Sequence, residues 1–456
     1  MLRQDPPHPT APGQSERVDS FPSIPFSSAV ALVVADMIGT GVFTSLGFQL
    51  EELHSAFAIL TLWILGGLLS LCGALSYGEL GAAFPRSGGE YRLLGRIFHP
   101  ALGFAAGLVS LTVGFPAPVA LSAMAFGGYA ARGLGLTLSP KILALALVVL
   151  VTLVHMGGIP ESARFQNGAT LLKIVLILSM IVAGMLAPKA SGLALEPVPE
   201  EIREFLSPSF AVALVYVLYS YAGWNAAIYI AGELENPRRL LPLALITGTT
   251  FVTLLYVLFH AVLLCLAPPA VFQGQLEVAM VAGKLLFGPW GARIVAIALC
   301  LGLVSSVSAM VWAGPRVAMA MGEDLPQLRW LAKKNQGGNP SIATALQGIT
   351  ACLFLLSGTF SQVLSYIQWT LQLCSFLTVL GVMVLRYREP ELPRPYRTWG
   401  YPWTPLLFLV ASLWVLIHLL HSRPMESLCG AATLLAGVLV YYLPIFNQGA
   451  RPPQNV

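Results

Sequence analysis

The chain alternates long apolar runs with short polar interruptions rich in proline, glycine and charge. A helix needs about 20 mostly apolar residues to cross a bilayer. The pattern predicts an all-α membrane protein with about twelve spans, near residues 26–49, 55–83, 99–131, 140–158, 164–187, 207–231, 240–267, 285–321, 341–357, 361–387, 403–421 and 427–446. The longest runs fit by tilting, and the connections leave little room for a soluble domain. Residues 1–25 are polar and proline-rich, with no apolar core behind a basic start. They are expected to form a disordered cytoplasmic tail rather than a signal peptide, and residues 447–456 a second tail.

Composition supports this division. Of 456 residues, 56% are hydrophobic and 10% charged, where a soluble domain has about 25% charge. The net charge of +4 is scattered through loops, which disfavours a nucleic-acid partner. The six cysteines lie in apolar runs without CxxC spacing, so neither a disulfide framework nor a zinc site is expected. Arginines and lysines gather between spans 2 and 3, 4 and 5, 6 and 7, 8 and 9, and 10 and 11, while the connection from Pro188 to Ser207 is acidic. The positive-inside rule then puts both termini in the cytoplasm, and the absence of an organelle address favours a cell or inner membrane.

Two spans contain interruptions. Span 1 reads VVADMIGTGVFTS, and its Gly39, Thr40 and Gly41, after Ile38, lie about 20 Å in from Phe26 at 1.5 Å per residue. Glycine weakens a helix and admits close backbone approach. An unwound stretch there would present N–H groups to a carboxylate, whereas the alternative is a small-residue contact between helices. Span 6 reads YVLYSYAGWNAAIYIAGE, with Tyr219, Ser220, Tyr221, Ala222, Gly223, Trp224 and Asn225 at similar depth. It is read either as a second broken helix or as an aromatic packing cluster. Interruptions five spans apart are the pattern of an inverted repeat with a midplane binding site.

Two ionisable groups fall within spans. Lys173 lies about 13 Å past Arg164 along its helix, where a lysine costs about 2.5–3.5 kcal/mol and calls for a partner or a function. Asp36 precedes Gly39 by one turn and is read as a proton carrier, a partner for Lys173 or a hydrogen-bonded helix cap. No HExxH, GxSxG or Walker A pattern occurs, and no nucleophile with an oriented base is apparent. Enzymatic chemistry, cofactors and metals are not expected.

From about Phe26 to Tyr442 the chain resembles the amino acid, polyamine and organocation transporters. The similarity is carried by YGELGAAFPRSGGEY (Tyr77 to Tyr91), GELENPRRLLPLAL (Gly232 to Leu245), GPRVAMAMGEDLPQLRWLAK (Gly314 to Lys333) and ELPRPYRTWGYPWTP (Glu391 to Pro405), in order. The resemblance implies a ten-helix core over 26–387, built from inverted repeats at 26–187 and 207–387, with two accessory helices over 403–446. It implies that the Gly39–Gly41 backbone takes a substrate carboxylate and carbonyls around Tyr219, Ser220 and Tyr221 its ammonium. Tyr219 would gate the pocket from outside, and Trp224 and Asn225 would shape the side-chain subsite. Lys173 matches the fifth-span lysine of sodium-independent members, where an ammonium replaces a sodium ion against span 1. It would either exchange a proton during transport or stay charged in an exchanger.

Two departures narrow the expectation. Members that pair with a disulfide-linked heavy chain carry a cysteine between spans 3 and 4, and Ala131 to Ser139 has none. Span 3 lacks the acidic residue of some cationic amino acid carriers. The reading is a sodium-independent permease for neutral amino acids, proton-coupled or exchanging. The alternatives are a cationic amino acid or polyamine carrier, and a transport-dead amino acid sensor.

Overall fold

The computed structural model describes residues 24–53, 55–157, 163–187, 205, 207–335 and 339–444. The expected N-terminal tail up to residue 23, the acidic connection at 188–204 and the C-terminal tail lie outside the described residues. Span 1 is two helices, α1 (Phe26–Met37) and α2 (Gly41–Glu52), and span 2 is α3 (Ala56–Ala83). A short helix, α4 (Gly89–Ile97), leads into span 3. That span runs through α5 (Pro100–Val109), a π-helical turn (Ser110–Gly114) and α6 (Pro116–Leu134). Then follow α7 (Pro140–Met156), α8 (Ala163–Leu186) and α9 (Pro208–Tyr221), with a 3-10 segment (Ala226–Glu233) completing span 6. The rest comprises α10 (Pro237–Leu266), α11 (Val278–Asp324), α12 (Ser341–Ser357), α13 (Phe360–Arg388), α14 (Trp403–Ser422) and α15 (Pro424–Tyr441).

Among the described residues, ten of these stretches are long and apolar enough to cross a membrane, and α7 and α12 are shorter apolar helices. Each expected span coincides with a helical stretch. The boundary that differs most is span 8: α11 starts earlier than expected and breaks at Gly288, whose φ of 71° no ordinary helix residue adopts. Helix starts follow local chemistry. Ser55, Ser139 and Ser207 accept N–H bonds at the heads of α3, α7 and α9, and Thr359 with Gln362 forms a capping box on α13. Leu150, Leu186, Leu254, Ile294 and Val410 are each more than 60% exposed. Such faces suit hydrocarbon as solvent and would be anomalous in water.

The four signature segments, far apart in sequence, meet at one end of the bundle. Glu79, on α3, is held by Arg386 at 2.9 and 2.6 Å, by the Thr398 N–H at 2.7 Å and by Arg394 at 3.3 Å. Tyr91 and Arg92 reach Asp324, Arg96 grips Glu389 through two bonds of 2.8 Å, and Arg316 faces Glu233 at 3.6 Å. These ties fix α4 beneath the bundle, which matters for the site.

Candidate substrate site

Span 1 breaks where α1 ends at Met37 and α2 begins at Gly41. Ile38 leaves the helix with ψ 71°, and the Gly39 N–H folds back on the Met37 carbonyl at 2.8 Å. The first N–H groups of α2 have no acceptor within their own helix, and the last carbonyls of α1 have no helical donor. The carbonyl end is served by side chains. Lys173 Nζ donates to Ile38 O at 2.6 Å and Ala35 O at 3.3 Å, and Tyr256 donates to Met37 O at 2.6 Å. Lys173 also donates to Ser306 Oγ at 3.1 Å. A cation at a helix C-terminus is favoured by the macrodipole.

Span 6 breaks opposite. Helix α9 runs through Tyr221, and Gly223 turns the chain with φ 106°. A Cβ on Gly223 would stand 2.8 Å from Asp36 Oδ2 and from the Asp36 carbonyl carbon. Gly41 is equally confined, since its Cβ would meet Ser220 Cα and Oγ at 2.5 Å. The two breaks therefore touch, and glycine on each makes the approach possible. Thr40 Oγ1 and Ser122 Oγ, 2.9 Å apart, join the span 1 break to α6.

Between the breaks lies a cavity of about 150 Å³. Of the residues singled out in the sequence, Asp36, Gly39, Thr40, Gly41, Tyr219, Ala222, Gly223, Trp224 and Asn225 line it. Ile38, Ser220, Tyr221 and Lys173 lie outside the lining. Ile38 is fully buried and offers its carbonyl to Lys173. Ser220 bonds Ser45 and the Tyr216 carbonyl, and the Tyr221 hydroxyl donates to Trp63 O at 3.0 Å. Both belong to the intact last turn of α9, because the break comes after Tyr221. Tyr219 O is occupied by the Ala222 N–H at 3.0 Å. Lys173 and Asp36 do not form a direct ion pair: none of the pairs among the described residues joins them. Asp36 borders the cavity while the ammonium stands behind the backbone.

Other elements complete the wall. The π-helical turn supplies Ser110 and Gly114, α13 supplies Gln368, Gln372 and Ser375, α14 supplies Phe408, and α4 supplies Glu90. Trp224 packs edge-on against Tyr77 and Phe408, with centroids at 4.8 and 6.2 Å. On the side where α2 ends and α9 and α13 begin, Phe48 stacks between Tyr216 and Phe360 at 5.2 and 5.4 Å. Tyr219 meets Phe360 edge-on at 6.5 Å. Glu90 was legible only as part of a connecting segment, GGEY. Its neighbours on α13 are nearly 300 residues away in sequence, so no local spacing signals them.

Residues 24–427 match the family described as amino acid permease. The chain is 27% identical over 448 residues to human Asc-type amino acid transporter 1, covering 96% of this chain and 85% of that protein. It is 28% identical over 432 residues to human large neutral amino acids transporter small subunit 2, covering 92% and 80%. To the serine/threonine exchanger SteT of Bacillus subtilis (strain 168) it is 29% identical over 423 residues, covering 91% and 94%. Broken helices around a cavity with polar side chains in its wall, set in an apolar bundle, agree with a match that takes in nearly the whole described chain: this protein is an integral membrane protein of the amino acid permease family.

Proposed function

We propose that the chain is a sodium-independent secondary transporter of neutral amino acids in the cell membrane, with both termini cytoplasmic, working by alternating access around the breaks of spans 1 and 6. One observation carries it: the start of α2 at Gly41 and the α13 side chains Gln368, Gln372 and Ser375 border the same cavity, a setting suited to a zwitterion. The α2 N–H groups would receive the carboxylate. The ammonium would meet carbonyls near Ala222 and the Asp36 carboxylate, a position shifted past Tyr221 by the later break. Sodium independence is supported by Lys173, whose ammonium fills the carbonyl end of α1. Neutral substrates are supported by the relatives, two of which are named for large neutral amino acids and for serine and threonine. The cysteine-free Ala131 to Ser139 segment argues against a disulfide-linked second subunit, and the paired breaks argue for inverted repeats over 26–187 and 207–387.

A second reading has its own support. Glu90 and Asp36 both border the cavity, which would suit a cationic amino acid or a polyamine. Uptake of labelled alanine, serine and leucine into proteoliposomes, empty or preloaded with the same amino acid, tests the first reading. Uptake insensitive to sodium and blocked by neutral competitors is expected. Strong block by arginine and putrescine would replace it with the second reading, and saturable binding without uptake would leave only a sensor.

A further inference from the structure

Glu90 is turned inward by its backbone. Gly88 and Gly89, with φ 130° and 55°, reverse the chain after span 2 and start α4 beneath the cavity. There the Glu90 side chain is buried, 4% exposed, and still borders the cavity. The Tyr77 hydroxyl donates a short hydrogen bond to Oε1, and Ser375 Oγ donates to the same atom at 3.2 Å. Both donors address Oε1, so Oε2 is the oxygen left to take a proton.

No cation balances this carboxyl among the described residues. On its own helix, Arg92 and Arg96 are drawn to Asp324 and Glu389. On α3, Glu79 takes Arg386 from α13 and Arg394 from the segment beyond it. Helix α5 carries no titratable side chain. The 3-10 segment contributes Tyr229, with Glu233 engaged by Arg316, and α13 contributes Cys374. Across the cavity stands Asp36, a second acid, with Lys173 committed to carbonyls. A buried carboxylate without a cation favours its neutral form. Burial accordingly raises the Glu90 pKa above its ordinary value, against the pull of the Tyr77 and Ser375 donors.

We propose that Glu90 is a proton-binding site of the transport cavity, loaded from one side of the membrane and emptied to the other, so that a proton gradient drives amino acid uptake. On one side a hydronium O–H bond breaks as the Oε2–H bond forms, and on the other the Oε2–H bond breaks as the proton returns to a water molecule. Tyr77 sits on α3, which packs mainly against α10, whereas Glu90 sits on α4, which packs mainly against α5, with α13 touching both. Rocking of one group against the other makes and breaks the Tyr77–Glu90 bond, and with it the preference for the charged carboxyl. The proposal rests on the transport reading above and selects proton coupling over exchange.

The test uses the full chain in proteoliposomes, with a pH-sensitive dye inside and labelled serine as substrate. Counterflow into preloaded vesicles at equal pH reports transport itself. Accumulation in empty vesicles, with and without one pH unit acid outside, reports coupling. The wild type is expected to show several-fold stimulation by the gradient and serine-dependent proton entry. Glu90→Gln is expected to lose that stimulation, whatever its counterflow rate. Tyr77→Phe removes a donor to the charged form, so the midpoint of its pH profile is expected to move up by about half a unit. Wild-type counterflow without gradient response, stimulation retained in Glu90→Gln, or an unmoved Tyr77→Phe profile would each overturn the proposal. So would loss of arginine uptake in Glu90→Gln with coupling intact, which would assign Glu90 to substrate selection. A wild type inert in both assays overturns the transport reading, and this one with it.

Discussion

The Lys173 ammonium stands 2.6 Å from the Ile38 carbonyl oxygen and is shared with Ala35 O and Ser306 Oγ. Three donors of one ammonium thus meet three acceptors at the end of α1, the geometry of a fixed cation. Lys173→Met would leave those carbonyls unpaired, at about 1–3 kcal/mol for a buried acceptor. Counterflow is expected to fall at least tenfold with protein still recoverable. The lysine stem also lies on Gly302, where an added Cβ would meet Lys173 Cγ at 2.8 Å. Gly302→Ala is therefore expected to reproduce the loss without touching the charge. Full counterflow in either variant would refute the role.

Gly39 and Gly41 look equivalent in sequence, yet their surroundings differ. A Cβ on Gly39 has a single neighbour, Asp36 O at 3.9 Å, whereas on Gly41 it would run into Ser220. Gly41→Ala is expected to destabilise the protein by about 1–3 kcal/mol through overpacking. Gly39→Ala should stay within about 0.5 kcal/mol of the parent and instead raise the substrate KM, because its methyl enters the cavity. Thermal unfolding in detergent alongside KM separates the two; equal melting temperatures would contradict the packing argument.

Arg96 and Glu389 pair bidentately where α4 meets the end of α13. The Arg96 guanidinium holds the Glu389 carboxyl below its ordinary pKa. A depressed carboxylate stabilises the fold above the unfolded-state value of about 4.3, and the contribution disappears as pH falls through the lower folded value. Both side chains are more than a third exposed, so solvent screening limits the effect to about 0.2–1 kcal/mol. Arg96→Ala is expected to melt about 1–2 °C below the parent at pH 7 and to close part of that gap at pH 3. A difference undiminished at pH 3 would point to lost packing on Phe84, over which the guanidinium lies at 5.3 Å.

Much of this was legible in the sequence because membrane helices obey a strong length and polarity rule, and because glycines mark the breaks within spans 1 and 6. Lys173 stood out because a cation at that depth needs a reason. What could not be read was register and partnership. The span 6 break falls after Tyr221, so Ser220 and Tyr221 remain ordinary helix residues facing α2 and α3. The π-helical turn at Ser110–Gly114 has no marker beyond the prolines that follow it. Gln368, Gln372 and Phe408 join the wall through tertiary packing alone, and Glu90 carries no local signal because its burial depends on Tyr77 and Ser375.

The aromatic tier on the side of α2's last turn sets a further expectation. Phe48 lies parallel to Tyr216 and Phe360, with interplanar angles of 4° and 3°, and Phe360 meets Tyr219 in a T-shaped contact. Such contacts contribute about 0.5–1.5 kcal/mol each beyond area burial, and here they join α2, α9 and α13 next to Tyr219, which lines the cavity. Phe360→Leu keeps most of the apolar volume and removes the stacking. A loss of about 1 kcal/mol changes an open–closed ratio about fivefold. In a cysteine-free background carrying Ser70→Cys on the cavity wall, labelling by a membrane-impermeant thiol reagent should accelerate by about that factor in Phe360→Leu, and added serine should slow it again. An unchanged labelling rate would mean that the tier is packing, and that the gate on this side lies elsewhere.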